Sequence, residues 1–422
     1  MTTWILLFAN LFAGQADAAA LELETRRLVR QLDGPSLAQR EAAEHALLEL
    51  GPPVLDLLPP VTRTTSAEVR VRLDRIRNRL QQQAAEQTTQ ATRIDLQGDM
   101  PLLDVLAALA EQSGNAILDY RGQFGQTATN PTVTVDFQDK PFWQALDQVL
   151  DQAGLTIYNF SGQPDTLAIV ARSEGQRARA DRGTYSGLFR FEGVSLVARR
   201  DLRDPRGDSL QMVVEVAWEP RVRPIVLQLS LDTLRAVDED DRPIAIEAAG
   251  TQLEVPTEAS VPAVEIQIPL SLPDRSTRQI SLLQGQMSAL IPGRVQEFVF
   301  DNLRDAQAIE QRVAGVTVTV DQVRKTLGLD EVRMRVRFDR ADIALESHRN
   351  WVYQNDAYLL DPDGQRVDYA RMEVTMQRQD EVGVAFLFDR PEGLEGCRFV
   401  YRSPVVIVAL PIEYRLTEIP LP

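Results

Sequence analysis

The sequence predicts a multidomain protein of mixed class, α+β and all-β: a helical module, an α+β domain and two β-sandwiches. Three observations predict it. Apolar residues recur at helical spacing from Leu21 to about Gln90. A strand-helix-strand phrase occurs twice, at a period of about forty residues, between 92 and 172. The remainder alternates apolar with polar residues, and its two strongest runs are offset by about 120 positions. At 422 residues, 44% hydrophobic and 25% charged, the chain can build several separate cores.

The first twenty residues form a unit apart. Trp4 to Ala13 is mostly apolar, and Ala16-Asp17-Ala18 offers a small-x-small cleavage site. The run is about half of the roughly twenty apolar residues that a transmembrane helix needs. A signal peptide over 1–20, cleaved near Ala18 or Ala20, is therefore expected, with an uncleaved anchor or a buried N-terminal helix as the alternatives. The expected location is periplasmic or extracellular. A lone Cys397 suits an oxidising compartment and is expected to act as a small buried hydrophobe in a strand.

Residues 21–90 read as short helices. Leu28 and Leu32, then Ala42, Ala46, Leu47 and Leu50, repeat every three or four residues. Gly34-Pro35-Ser36 breaks the first helix and supplies Ser36 as an N-cap, Gly51-Pro52-Pro53 ends the second, and Pro59-Pro60 stops a short turn through Val54–Leu58. Val69, Leu73, Ile76 and Leu80 stripe the last helix. Arg70, Arg72, Arg75, Arg77 and Arg79 spread around its polar face, which reads as solvated rather than as a docking stripe. The phrase from Arg40 to Gly51 resembles a HEAT-type repeat, and a single such phrase implies a small cap or docking module rather than a solenoid.

Residues 91–173 hold the duplication. Ile94-Asp95-Leu96-Gln97 answers Val135-Asp136-Phe137-Gln138. Pro101 pairs with Pro141, Leu106 with Leu146, Gln112 with Gln152, Gly114 with Gly154 and Ile117 with Ile157. Each copy reads as a strand, a helix opened by proline, a glycine stop and a second strand. Thr166–Val170 supplies a last strand. This order resembles the short N-terminal domain of secretins and TonB-dependent receptors. The resemblance implies a protein-interaction module of the cell envelope with no catalytic residues. The residues beyond it lack the regular alternation of a many-stranded outer-membrane barrel.

The rest predicts two antiparallel sandwiches of immunoglobulin-like size, over 183–305 and 312–422. Val214, Val216 and Trp218 fall on Met334, Val336 and Phe338, and the charged turn from Val237 to Ile244 parallels that from Leu360 to Val367.

Composition narrows the chemistry. Sixty-one acidic against 45 basic side chains give a net charge of -16, which disfavours nucleic acid. Two histidines, His45 and His348, and two lysines, Lys140 and Lys325, stand without partners at ligand or catalytic spacing. Phosphate loops, nucleophile elbows and zinc-protease pairs do not occur. No catalytic residue and no cofactor is predicted. Acidic turns are the one metal candidate, with Asp238 and Asp240 in one and Asp361 and Asp363 in the other, and Asp and Gly also suit hairpin turns for backbone reasons. Trp351, Tyr353 and Tyr358 read either as a binding strip or as core. The expected function is a non-catalytic envelope scaffold that binds protein partners, through exposed strand edges among other surfaces. The alternative is a glycan-binding protein, or a hydrolase with two carboxylates facing across a cleft.

Overall fold

The computed structural model describes residues 20–59, 66–204, 207–248, 250–258, 260–313, 315–326, 328–339, 350–378 and 380–422. It is mainly β, with few helices and several sheets. The apolar run from Trp4 and the cleavage site after it lie outside these residues. Among the described residues no helix is long and apolar enough to cross a membrane. The chain divides into two compact units: residues up to Thr88 with Gly293–Ile407, and Thr89–Pro292 with Val408–Pro422.

The helical module comprises α1 (residues 20–31), α2 (Leu37–Glu49), a 3-10 turn (Pro52–Leu57) and α3 (Ala67–Thr88). Ser36 caps α2 by accepting the Gln39 N–H at 3.2 Å. The stripe residues Leu28, Leu32, Leu47, Leu73, Ile76 and Leu80 form one core. Arg70, Arg75 and Arg79 of α3 lie on the expected solvated face, and Arg72 departs from it. Arg72 is buried and donates to Glu44 Oε2 at 2.6 Å, while Arg75 reaches the other oxygen of Glu44 at 2.9 Å. The chain thus spends part of its basic stripe on tying α3 to α2.

The second unit begins with β1 (Arg93–Pro101), α4 (Leu102–Ser113), β2 (Ala116–Asp119), β3 (Thr132–Pro141), α5 (Phe142–Gln152), β4 (Leu155–Tyr158) and β5 (Thr166–Ala171). Each helix opens on a proline in the same conformation, Pro101 at φ -56°, ψ 140° and Pro141 at φ -57°, ψ 140°. Leu102 N–H donates to Pro131 C=O, and Phe142 N–H donates to Thr92 C=O, so the two copies exchange equivalent bonds. The paired glutamines act alike. Gln112 bonds both the N–H and the C=O of Asp95, and Gln152 does the same to Thr134. Gly114 and Gly154 follow the helices at φ 70° and 66°, where a side chain would be strained. β1 and β3 form a two-stranded antiparallel sheet, and β5 lies between β2, parallel to it, and β4, antiparallel to it. The helices pack on each other and on both sheets.

Downstream lie β6 (Gly183–Ser186), β7 (Phe189–Arg199), β8 (Ser209–Trp218), β9 (Val226–Ser230), β10 (Arg235–Asp238), β11 (Pro243–Ile244), β12 (Gln252–Pro256), β13 (Ala263–Leu270) and β14 (Gln279–Phe300). Then follow β15 (Gln307–Val313), β16 (Val316–Thr326), β17 (Leu329–Phe338), β18 (Ala357–Leu360), β19 (Arg366–Asp368), β20 (Arg371–Gln377), β21 (Glu381–Phe388) and β22 (Arg398–Pro420). One sheet runs β13-β8-β7-β6, and another runs β20-β21-β17-β16-β15, the same order with one strand added. Both carry a bulge at matching places, between Gly193 and Ser195 on β7 and between Val320 and Gln322 on β16. Alternation decides which face is buried: Met212, Val214, Val216 and Trp218 point inward on β8, as do Val332, Met334, Val336 and Phe338 on β17. β14 and β22 are neighbours in a further sheet. They have 22 and 23 residues, and each begins in one compact unit and ends in the other.

Candidate recognition surface

The acidic turns are built alike. Asp238 Oδ1 accepts the N–H of Asp240 and of Arg242, both at 2.9 Å; Asp361 Oδ1 accepts the N–H of Asp363 at 3.0 Å and of Gln365 at 2.8 Å. Asp241 and Gly364 occupy the positive-φ position that closes each turn. Burial pushes the Asp238 carboxyl up, but the backbone N–H groups and the Arg242 guanidinium outweigh it and hold it below the usual range. These carboxylates thus staple hairpins, and Asp240 pairs with Arg242 at 2.6 Å. Among the described residues no group of three or more His, Cys, Asp or Glu side chains is placed to hold a metal ion.

The other singled-out residues scatter. His45 is exposed beside Glu49 at 3.4 Å, and His348 lies outside the described residues. Lys140 sits over the Phe137 ring and bonds Gln148, and Lys325 lies on β16. Cys397 is buried. Trp351 and Tyr353 fall in a helical turn, Asn350–Tyr353, rather than in an alternating strand. Trp351 packs edge-on against Phe338, and Tyr358 lies under Arg366.

The structure gathers a different set on the α+β domain. Leu118 on β2 and Tyr158 on β4 both stand opposite Ala168 on β5, so the three share one row across the outer face. Tyr120 stacks on Tyr158 with centroids 6.1 Å apart and an interplanar angle of 16°. Phe124 meets Tyr158 edge-on at 5.0 Å, and Phe160 does so at 5.9 Å. Leu118 is 39% exposed, Phe124 49% and Phe160 73%. Four aromatic rings and a leucine therefore form one contiguous patch at the surface, where large apolar groups are usually scattered singly.

Polar anchors hold this patch in shape. Arg121, buried at its edge, grips Asp119 through Nε at 2.9 Å and Nη2 at 2.7 Å, fixing the turn that carries Phe124. Between Tyr158 and Phe160, Asn159 donates to Glu215 Oε2 at 2.8 Å. The Asp165 carboxylate pairs with Arg223. Each of the last two bonds joins the α+β domain to β8 or the loop after it.

That joint continues inside. Trp143 Nε1 donates to Leu188 C=O at 3.0 Å. Glu219, fully buried, accepts the Thr92 N–H at 2.9 Å, the Asn115 amide at 3.2 Å and Arg221 Nε at 2.8 Å. Asp147 on α5 accepts Arg179 Nε at 2.8 Å, Arg190 Nε at 2.6 Å and the Tyr185 hydroxyl at 2.9 Å. Ala217 and Ala263 from β8 and β13 complete the apolar core of the α+β domain. The patch therefore sits on a platform braced from beneath by the strands of the next domain.

No family model, no curated protein and no solved structure matches this chain.

The aromatic patch was missed in the sequence reading, although a signal for it exists. Ile117-Leu118 and Ile157-Tyr158 are apolar at consecutive positions, so both faces of each short strand are apolar, and Tyr120 and Phe160 extend the outward set by two.

Proposed function

We propose that this protein is a non-catalytic interaction scaffold of the cell envelope, exported by its N-terminal segment, in which residues 92–172 recognise a protein partner. The patch of Leu118, Tyr120, Phe124, Tyr158 and Phe160 carries the reading. Aromatic side chains dominate the energetics of protein interfaces because they bury large apolar area at small conformational cost. These rings are also held in place beforehand by the Arg121–Asp119 and Asn159–Glu215 bonds, which lowers the ordering cost of association. The likeness of residues 92–172 to the short N-terminal domain of secretins and TonB-dependent receptors points the same way.

Deleting residues 92–172 would be a poor test, since it would strip Asp147 from Arg190 and uncover Ala217 and Ala263. Point changes on the exposed rings avoid this. Cross-linking from envelope fractions with the full chain should recover a specific partner, and Phe124→Ser with Phe160→Ser should lose it while the melting curve stays unchanged. Equal recovery with the double variant would refute the patch as the recognition surface.

A further inference from the structure

A second surface, unrelated to the aromatic patch, lies on the outer face of the sheet formed by β12, β9, β14 and β22. It is a groove of about 340 Å³. On β12 and β9, Gln252 stands opposite Ser230, and one residue beyond the Met287–Leu229 pair Ser230 faces Gln286 on β14. Gln286 Nε2 in turn donates to Glu413 Oε1 on β22 at 3.0 Å. The next row sets Gln228 between Glu254 and Ser288. Short serines thus alternate with long glutamines across four strands, which gives the face its depth. Met287 and Ile412, between these residues in sequence, point to the opposite face and into the core, so the apolar surface in the groove is that of the exposed Pro411.

The donor set defines what fits. The Gln252 amide and the Ser230 and Ser288 hydroxyls make no side-chain hydrogen bond among the described residues, so donors and acceptors both face the groove. Glu413 is the one ionisable side chain lining it, and with Glu254 nearby it disfavours an anion. The backbone groups of β9 and β14 are already committed to strand pairing, so an extended peptide cannot add itself here as a further strand. What remains is recognition by side chains of a small neutral molecule rich in hydroxyls, which can both give and accept bonds to amides and hydroxyls while its C–H face rests against Pro411. The volume falls at the lower end of small-molecule sites, about 300–1,000 Å³. We infer that this groove is a binding site for a neutral saccharide of one or two rings.

Saturation-transfer NMR on the full chain tests it, with maltose, cellobiose and N,N′-diacetylchitobiose as probes. At least one should give a saturable signal. Ser288→Val with Gln252→Leu suits the outer face of a sheet and should weaken that signal at least about tenfold, the loss expected for two or more hydrogen bonds. Gln307→Ala on β15 should leave it unchanged. A circular dichroism melt matching the parent establishes that the double variant is folded; if it is not, Ser230→Val alone replaces it. Failure of all three sugars to bind, or binding that survives the groove variants, overturns the assignment. Neither result bears on the aromatic patch, whose partner is read by cross-linking.

Discussion

Replacing Asp147 by Asn should show how much the joint beneath the aromatic patch contributes. Asp147 is 0% exposed, and both of its oxygens are committed, Oδ1 to Arg179 and Oδ2 to Arg190 and the Tyr185 hydroxyl. Arg190 is also 0% exposed and, among the described residues, keeps Glu192, at 2.6 Å, as its one remaining hydrogen-bonded carboxylate. The amide preserves shape but removes the charge and turns a donor toward an arginine. Breaking one side of a buried ion pair in this way costs about 3–5 kcal/mol, since the surviving charge has no route back to water. With a urea m-value of about 2–3 kcal/mol/M, the transition should fall by roughly 1–2.5 M. Intrinsic fluorescence reports it, because Trp143 lies in the joint, and a Trp143→Phe background identifies its share. Burial pushes the Asp147 carboxyl up, yet the Arg179 and Arg190 charges outweigh this and hold it below its ordinary 3.8. The stabilisation is therefore complete above the unfolded pKa and is lost as pH falls through the lower folded value. The gap between parent and variant should be constant near neutrality and close in acid. A change below about 1 kcal/mol at neutral pH, the size of an exposed pair, would refute the reasoning.

Two further changes probe the core and the turns. Tyr414 is buried, its hydroxyl without a hydrogen bond among the described residues, and stacked on Phe191 at 4.8 Å; Tyr414→Phe keeps the stack and should stabilise the protein by about 1 kcal/mol, and a lower melting temperature would contradict this. Asp238→Ala and Asp361→Ala each remove two bonds to backbone N–H groups and should each cost about 1 kcal/mol, whereas the Asn variants retain an acceptor. Millimolar calcium should leave the parent's melting temperature unchanged, because a site holding calcium a hundredfold above its dissociation constant would add about 2.7 kcal/mol.

What could be read from the sequence was whatever repeats or alternates. Pro101 and Pro141, Gln112 and Gln152, and Gly114 and Gly154 were paired by spacing, and each pair does one job twice because a backbone constraint demands the same residue in both copies. The inward rows of β8 and β17 were visible because water on one face and a core on the other impose a period of two. Sites assembled from single residues far apart gave no such signal. Nothing about Thr92, Asn115 and Glu219 is periodic, and their meeting depends on the packing of one domain on the next. Arg72 looked like any other arginine of its stripe; only the approach of Glu44 from α2 makes it a strut. The Asp238 and Asp361 turns gave a signal with two meanings, since the carboxylate that would bind a cation is the same group that a tight turn needs as an acceptor.

The long strands show where repetition stops being a guide. β14 and β22 close the two strand sets that share one order and one bulge, so a duplicated sequence suggests two self-contained sandwiches. Yet each has over twenty residues, about twice the length of β8 or β17, and the surplus does not end with its own set. Tyr414 and Leu416, near the C-terminus, join Phe191, Val214 and Met287 in one core, and Glu413 reaches Gln286 beside the serine and glutamine groove. Alternation along β22 records only which face is apolar, and it reads the same whichever core that face meets. The length of the strand was the remaining clue. A strand that long carries its apolar face past the core of its own set, and Val408–Pro422 belong instead to the unit that begins at Thr89, whose core takes Ile412, Tyr414 and Leu416.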